Sequence, residues 1–212
     1  MAATARLGEH DARSARDRIL HAAFRLFYAH GIRGVGVDTV IAESGVAKAT
    51  LYKHFPSKND LVLAYLDEVD RIWRAQLEAA AEAAGPDPRD RLVGIFDALA
   101  SACRTDGYHG CAFINTAAES QPGTRTHART VEHKTAVRTW VRDLATAAGA
   151  RDPDGLATQL TLLLDGGLAA GVLDGNPTVA EAARNAARTL VEAARRDPTS
   201  RLPETISDAE GI

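Results

Sequence analysis

Aromatic residues are scarce in this 212-residue chain, at 5% of positions. Alanine is abundant instead and carries the lowest helix cost of any residue, so the composition leans toward helices. Strand signals are missing as well: no stretch alternates apolar and polar residues between hairpin turns. Cysteine is limited to Cys103 and Cys111. They read as two small buried residues rather than as a disulfide or redox pair. The N-terminal MAATARLGEHDARSARD is polar and lacks the apolar core of a secretion signal. The apolar stretch from Leu162 to Leu173 is broken by Asp165, Gly166, Gly167 and Gly171, so no run approaches a membrane span. A cytoplasmic protein with reduced thiols and no membrane partner is expected.

Chemistry-bearing motifs are absent too. There is no P-loop, nucleophile elbow or carboxylate-flanked metal motif. His109, His127 and His133 lack the tight spacing of a metal site. An enzyme is not expected, and neither is a metal or cofactor. The net charge of −3 also excludes binding a polyanion through bulk charge. That charge is uneven, however. Residues 1–60 hold nine Lys or Arg against six Asp or Glu, a balance of +3, which leaves −6 for the remainder. The asymmetry points to a negatively charged partner for the N-terminal part.

What is present is helical periodicity cut by Gly and Pro. Ala12, Ile19, Ala22, Ala23, Leu26 and Phe27 recur at i, i+3, i+4 spacing. Short helices are expected over 37–44 and 47–54, and a long one over 58–84 with Val62, Leu66, Val69, Trp73 and Leu77 on one face. The long one starts at Ser57-Lys58-Asn59-Asp60, a capping-box-like arrangement with Asp in the Glu position. Further helices read at 89–105, 111–120, 124–148, 153–173 and 178–196. The fold class is therefore all-α, with about nine helices. The chain divides into a disordered tail over 1–11, a helix-turn-helix domain over 12–57 and a connecting helix over 58–85. A C-terminal helical domain over 86–196 and a second tail over 197–212 complete it.

The segment GVAKATLYKHFPSK, residues 45–58, concentrates hydrogen-bond donors. Gly45 stands between two short helices and tolerates the left-handed backbone of a sharp turn. Two short helices about such a glycine form a helix-turn-helix. Projected at about 100° per residue, the second helix places Ala47, Leu51 and Phe55 inward. Ala49, Thr50 and Lys53 face outward, flanked by Lys48 and Tyr52 on one side and His54 on the other. A small residue at the centre of that face permits close approach to a surface. The donors around it suit phosphate oxygens and base edges. Lys58 opens the next helix, whose N-terminus favours phosphate.

At these residues VIAESGVAKATLYKHFPSKNDL resembles the N-terminal signature of TetR-type (TetR/AcrR) transcriptional regulators. The match runs through Gly45, Val46, Thr50, Leu51, Tyr52, His54, Phe55, Lys58 and Leu61. ILHAAFRLFYAHGIRGVGV resembles the preceding family helix, so the likeness covers residues 15–65. GCAFINTAAE, residues 110–119, is similar to a stretch in one branch of the family. Two helix N-caps depart from the pattern: Ala47 stands where Ser is usual, and Gly36 where Thr is usual. Ala in place of Ser costs about 1 kcal/mol of capping, Gly only a few tenths.

The resemblance implies a homodimeric, ligand-responsive repressor acting on a near-palindromic double-stranded DNA operator and released by a small-molecule inducer. Lys48, Ala49 and Thr50 would meet base edges or nearby phosphate. Tyr52, His54 and Lys58 would hold the backbone, Lys53 either, with Arg33 and Thr39 as lesser phosphate candidates. The alternatives are an activator, a regulator without an inducer (thiol-sensing among them), or more remotely an all-α enzyme or carrier.

In the C-terminal half, Trp73, Phe96, Leu99, Cys103, Phe113, Ile114 and Trp140 supply apolar surface for an inducer pocket, or ordinary core. Asn115, Glu119 and Asp165 are polar groups that would fix a ligand, or pair with an Arg or the backbone. The family pattern places the dimer surface on the last two helices. Leu156, Leu160, Leu163 and Gly167 would face it from one, and Val179, Ala183, Ala186, Leu190 and Ala194 from the other.

Overall fold

The structure, a computed structural model, describes residues 14–174 and 178–194. Both expected tails, and the last two residues of the expected C-terminal helix, lie outside the described residues. Nine helices and no strand occur among the described residues. They are α1 (Ala15–Gly34), α2 (Val37–Ser44), α3 (Lys48–His54), α4 (Lys58–Ala83) and α5 (Pro88–Cys103). Then follow α6 (Ala112–Glu119), α7 (Arg125–Ala147), α8 (Pro153–Asp174) and α9 (Thr178–Ala193).

Two hydrophobic cores organise them. The head core gathers Ile19, Ala22, Ala23 and Phe27 of α1, Val40 of α2, Leu51 of α3 and Leu61, Val62, Tyr65 and Leu66 of α4. Tyr65 meets Phe27 and Phe24 edge-on, with ring centroids 5.6 and 5.7 Å apart. The body core gathers Leu77 and Ala81 from the far end of α4 with the buried faces of α5, α7, α8 and α9. Helix α4 thus belongs to both. At α6, Ala112 and Phe113 join the head core although they follow α5 in sequence, and Cys111 just before them packs against both cores. Truncating a fully buried leucine in either core costs about 2–5 kcal/mol.

The seam between α4 and α7 is tied by charge. Asp60 accepts a hydrogen bond from Arg125 at 3.1 Å. Asp67 and Asp70 accept from Arg129 at 2.7 and 3.0 Å. Asp70 also bonds Nδ1 of His133, which is 1% exposed and lies flat on Phe113 at 3.6 Å between centroids. Burial pushes the His133 pKa down to about 4, against the raising effect of Asp70. Burial disfavours the ionised Asp70, but the hydrogen bonds from His133 and Arg129 outweigh it and hold its carboxyl below the usual range. The pair therefore rests as a neutral imidazole donating to a carboxylate.

Helix α8 revises the reading that no segment approaches a membrane span, because Pro153–Leu173 is long and apolar enough by length and composition. Here it is a core helix. Leu156, Ala157, Leu160, Leu164 and Leu168 are buried among the other body helices, and Asp165 is paired with Lys134 of α7.

Candidate nucleic-acid interface

The helix-turn-helix is built locally. Gly45 ends α2 in the left-handed region (φ 64°, ψ 26°), its N–H bonded to Ile41 O at 3.0 Å. Val46 is buried, and α3 begins at Lys48. Ala47 is the N-cap, with extended backbone and no side-chain hydrogen bond. Its carbonyl alone opens the helix, accepting from Thr50 N at 2.9 Å and Leu51 N at 3.2 Å. The start of α4 differs. Ser57 Oγ accepts from Asp60 N at 3.2 Å and donates to Asp60 Oδ2 at 2.7 Å. Hydrogen bonds from Ser57 and Arg125 hold the Asp60 carboxyl below its usual range.

Leu51 (0% exposed) and Phe55 (3%) anchor α3 from behind. The guanidinium of Arg16 lies 5.3 Å from the Phe55 ring centroid. On the outer side Lys48, Ala49, Tyr52, Lys53 and His54 are exposed, and Thr50 and Lys58 are half-buried. Thr39 and Arg33 are exposed on the elements before it. Seven of the nine candidate DNA contacts lie on α3 or at the first residue of α4, with the two apolar anchors turned away; Thr39 is on α2, and Arg33 is on α1 with its N–H bonded to Glu119 of α6. Lys48 is 3.2 Å from Asp38 in an exposed ion pair, the kind that contributes about 0–1 kcal/mol and exchanges readily for another anion.

The ten candidate ligand residues do not come together. Phe96 and Leu99 are fully buried in the body core, with Trp73, Cys103 and Trp140 half-buried against it. Phe113 belongs to the head core, and Ile114 faces solvent. Asp165 is paired with Lys134. The expectation of one pocket among them is corrected: their helical spacing serves two cores and the surface. Only Asn115 and Glu119 line a cleft, of about 290 Å³, at the junction of α1, α4 and α6. Phe27, Tyr28, Ala29, His30, Tyr65 and His109 are its other principal walls. Sequence reasoning missed them; Gly31 and the pair Gly107 and Gly110, which bracket these histidines, were the available signal.

Several of the residues expected at a dimer surface are taken up by packing within the chain. Leu156, Leu160, Gly167 and Ala183 are buried within the chain, and a Cβ at Gly167 would run into Leu99 of α5. Leu163, Val179, Leu190 and Ala194 are half-buried; of the nine candidates only Ala186 is exposed. The exposed stripe of α8 is instead Leu162, Gly166, Ala169 and Leu173, and on α9 it is Ala182, Ala186, Thr189 and Ala193. Both are at helical spacing. The thiols of Cys103 and Cys111 are free, and burial pushes that of Cys103 up, away from the reactive thiolate.

Comparison with known proteins agrees with this architecture. The family described as bacterial regulatory proteins, tetR family, matches residues 19–65. A TetR-family transcriptional regulator from Streptomyces coelicolor superposes with a TM-score of 0.81 at 36% identity, over 86% of this chain and 96% of that one. The HTH-type transcriptional regulator YjdC of Escherichia coli is 24% identical over 184 residues, 85% of this chain and 95% of that protein. The HTH-type transcriptional regulator LmrA of Bacillus subtilis is 35% identical over 85 residues, 40% of this chain; that match spans 45% of LmrA. The fold, the helix-turn-helix and a near-full-length relative at this identity agree: the chain belongs to the TetR family of DNA-binding transcriptional regulators, which are not enzymes.

Proposed function

We propose that the protein is a cytoplasmic, homodimeric repressor whose two α3 helices enter successive major grooves of a near-palindromic operator. The observation that carries the reading is the outer face of α3. It is short, centred on Ala49, ringed by exposed donors and fixed from behind by Leu51 and Phe55. Lys48, Ala49 and Thr50 read base edges; Tyr52, His54, Lys58 and Arg33 hold phosphate, and Lys53 and Thr39 assist. The uncapped start of α3 leaves its first N–H groups available to a phosphate oxygen, which offsets the missing Ser hydroxyl.

The second copy docks on α8 and α9. Leu162, Leu173 and Val172 are 67%, 85% and 45% exposed, and the small residues between them and along α9 allow close helix approach. Two helices from each protomer make a four-helix interface. A small-molecule effector bound in the protein tilts α4, changes the separation of the two α3 helices and lowers DNA affinity. By linkage, DNA lowers effector affinity by the same factor.

The test is a gel-shift titration with DNA from upstream of the protein's own gene, alongside sedimentation of the free protein. A retarded complex holding two protomers is expected. Failure to retard any upstream fragment, or a free protein that stays monomeric at micromolar concentration, would sink the proposal.

A further inference from the structure

Among the described residues the half-buried carboxylates have cationic partners, with one exception. Asp60 is paired with Arg125, Glu68 with Arg71, Asp70 with Arg129, Asp87 with Arg89 and Asp165 with Lys134. Glu119, also half-buried, has no ion pair among the described residues. Its one hydrogen bond there comes from the backbone N–H of Arg33, at 2.6 Å to Oε2. A carboxylate taken partly out of water without a counter-ion is costly, and among the described residues a single backbone hydrogen bond offsets that cost.

Glu119 lines the cleft between α1, α4 and α6. The walls around it are aromatic rings and polar side chains. Phe27 and Tyr65 are nearly fully buried, Tyr28 is half-buried, and His109 meets the Tyr28 ring edge-on at 5.7 Å. Tyr28 Oη accepts from His109 N and donates to Gly110 O, both at 3.1 Å. Asn115 Nδ2 donates to His109 O at 2.8 Å. These bonds fix the walls, so the cleft is preformed. Of these rings Tyr28 and His109 remain open to a ligand; an aromatic ring attracts an organic cation and a carboxylate neutralises it.

We infer that this cleft binds a small organic monocation, an amine or quaternary ammonium carrying an apolar group, with Glu119 as its counter-ion. The site lies at the seam of the two cores rather than inside the body core. Its position gives it a route to the DNA-binding head. Gly31, at φ 75°, packs directly on the Glu119 carboxylate, where a Cβ would run into Oε1. Arg33 N–H is tied to the same group, and α2 starts four residues later. A bound cation competes for that carboxylate and loosens its hold on the turn that leads into α2 and α3. Only this last consequence rests on the proposed repressor function; the binding itself does not.

The experiment is isothermal titration of the full chain with benzylamine, with benzyltrimethylammonium and with neutral benzyl alcohol. Both cations are expected to bind, and the alcohol at least about tenfold more weakly. Glu119→Gln keeps an acceptor for Arg33 N–H but loses the charge, and lowers affinity for both cations by at least about tenfold. Asp165→Asn, at a carboxylate that already has its lysine, leaves both affinities unchanged. Should Glu119→Gln fail to fold, Ala29→Trp at an exposed wall position fills the mouth of the cleft and blocks the cations instead. No binding of either cation at millimolar concentration, equal binding of the alcohol, or undiminished binding in the folded Glu119 or Ala29 variant overturns the inference. In gel shifts, benzyltrimethylammonium weakens DNA binding by the parent and not by Glu119→Gln. A protein that binds the cations but retards no DNA leaves the site standing and removes the repressor reading.

Discussion

The head and the body differ in how their helices choose which side to bury. In α3 the choice is unambiguous: Leu51 and Phe55 are the large apolar groups, and everything opposite them is polar or small. In α8 leucine occurs on all sides. Leu160 is fully buried while Leu162, two residues on, is 67% exposed. In α9 alanine does the same, with Ala183 and Ala187 buried and Ala182 and Ala186 exposed. Where polarity marks one face, the sequence tells which residues meet a partner. Where both faces are apolar, only the packing of the neighbouring helices decides, and a shift of one or two positions exchanges core for surface.

The sharpest way to break that comparison is a charge placed on either side of α8. Leu160→Asp buries an unpaired carboxylate and should cost at least about 4 kcal/mol, abolishing cooperative thermal unfolding. Leu162→Asp should leave the fold intact and weaken self-association by at least about tenfold in sedimentation equilibrium. A folded Leu160→Asp beside an unfolded Leu162→Asp would mean that the phase of α8 is wrong.

The seam between head and body should respond to pH. His133 is held near pKa 4 in the fold and returns to about 6.5 when unfolded. The unfolded chain therefore takes up a proton first as pH falls. Its contribution to stability is full above pH 6.5 and is lost progressively toward pH 4. Urea unfolding at several pH values should show this decline, and His133→Asn, which has no proton to gain, should flatten it. An unchanged slope would show that the imidazole is not held neutral.

On the head itself, Tyr52→Phe should weaken binding to every DNA sequence by a similar factor, because a phosphate contact carries no sequence information. Substitution of Ala49 by a larger residue should instead change the preferred operator bases. A selection of bound sequences that is the same for both variants would contradict the division of roles along α3.

The smallest effects concern helix starts. Ala47→Ser supplies the hydroxyl that α3 lacks and should stabilise the head by up to about 1 kcal/mol; Ser57→Ala should destabilise α4 by about as much. Equal and negligible changes in melting temperature would show that neither cap matters in this fold.

Much of the head was legible because its signals are local. Gly45 marks the turn, Leu51 and Phe55 the anchors, and Ser57 with Asp60 the start of α4. The absence of a cap at Ala47 was legible too, and the structure keeps it: the backbone carbonyl opens α3 alone. The Asp70–His133 contact joins residues 63 positions apart, and nothing near either residue announces it. Glu119 stood out as a polar residue in an apolar stretch, but its cleft is assembled from α1 and the segment before α6, which no spacing connects. The helices themselves were readable from periodicity; the rotation of α8 was not, for want of a polar face, whereas α9 has one in Glu181, Asn185, Arg188 and Glu192, with exposed alanines beside it.

The central claim, that α3 and the first residue of α4 form the DNA interface, is tested most directly by a salt series. Binding of an upstream DNA fragment is followed by fluorescence anisotropy for the parent and for Lys58→Ala. The slope of log affinity against log salt should be steeply negative for the parent. In Lys58→Ala it should be shallower by about 1.8, from one lost phosphate contact in each of two protomers. An identical slope in the two proteins, or an affinity that does not depend on salt, would contradict the claim.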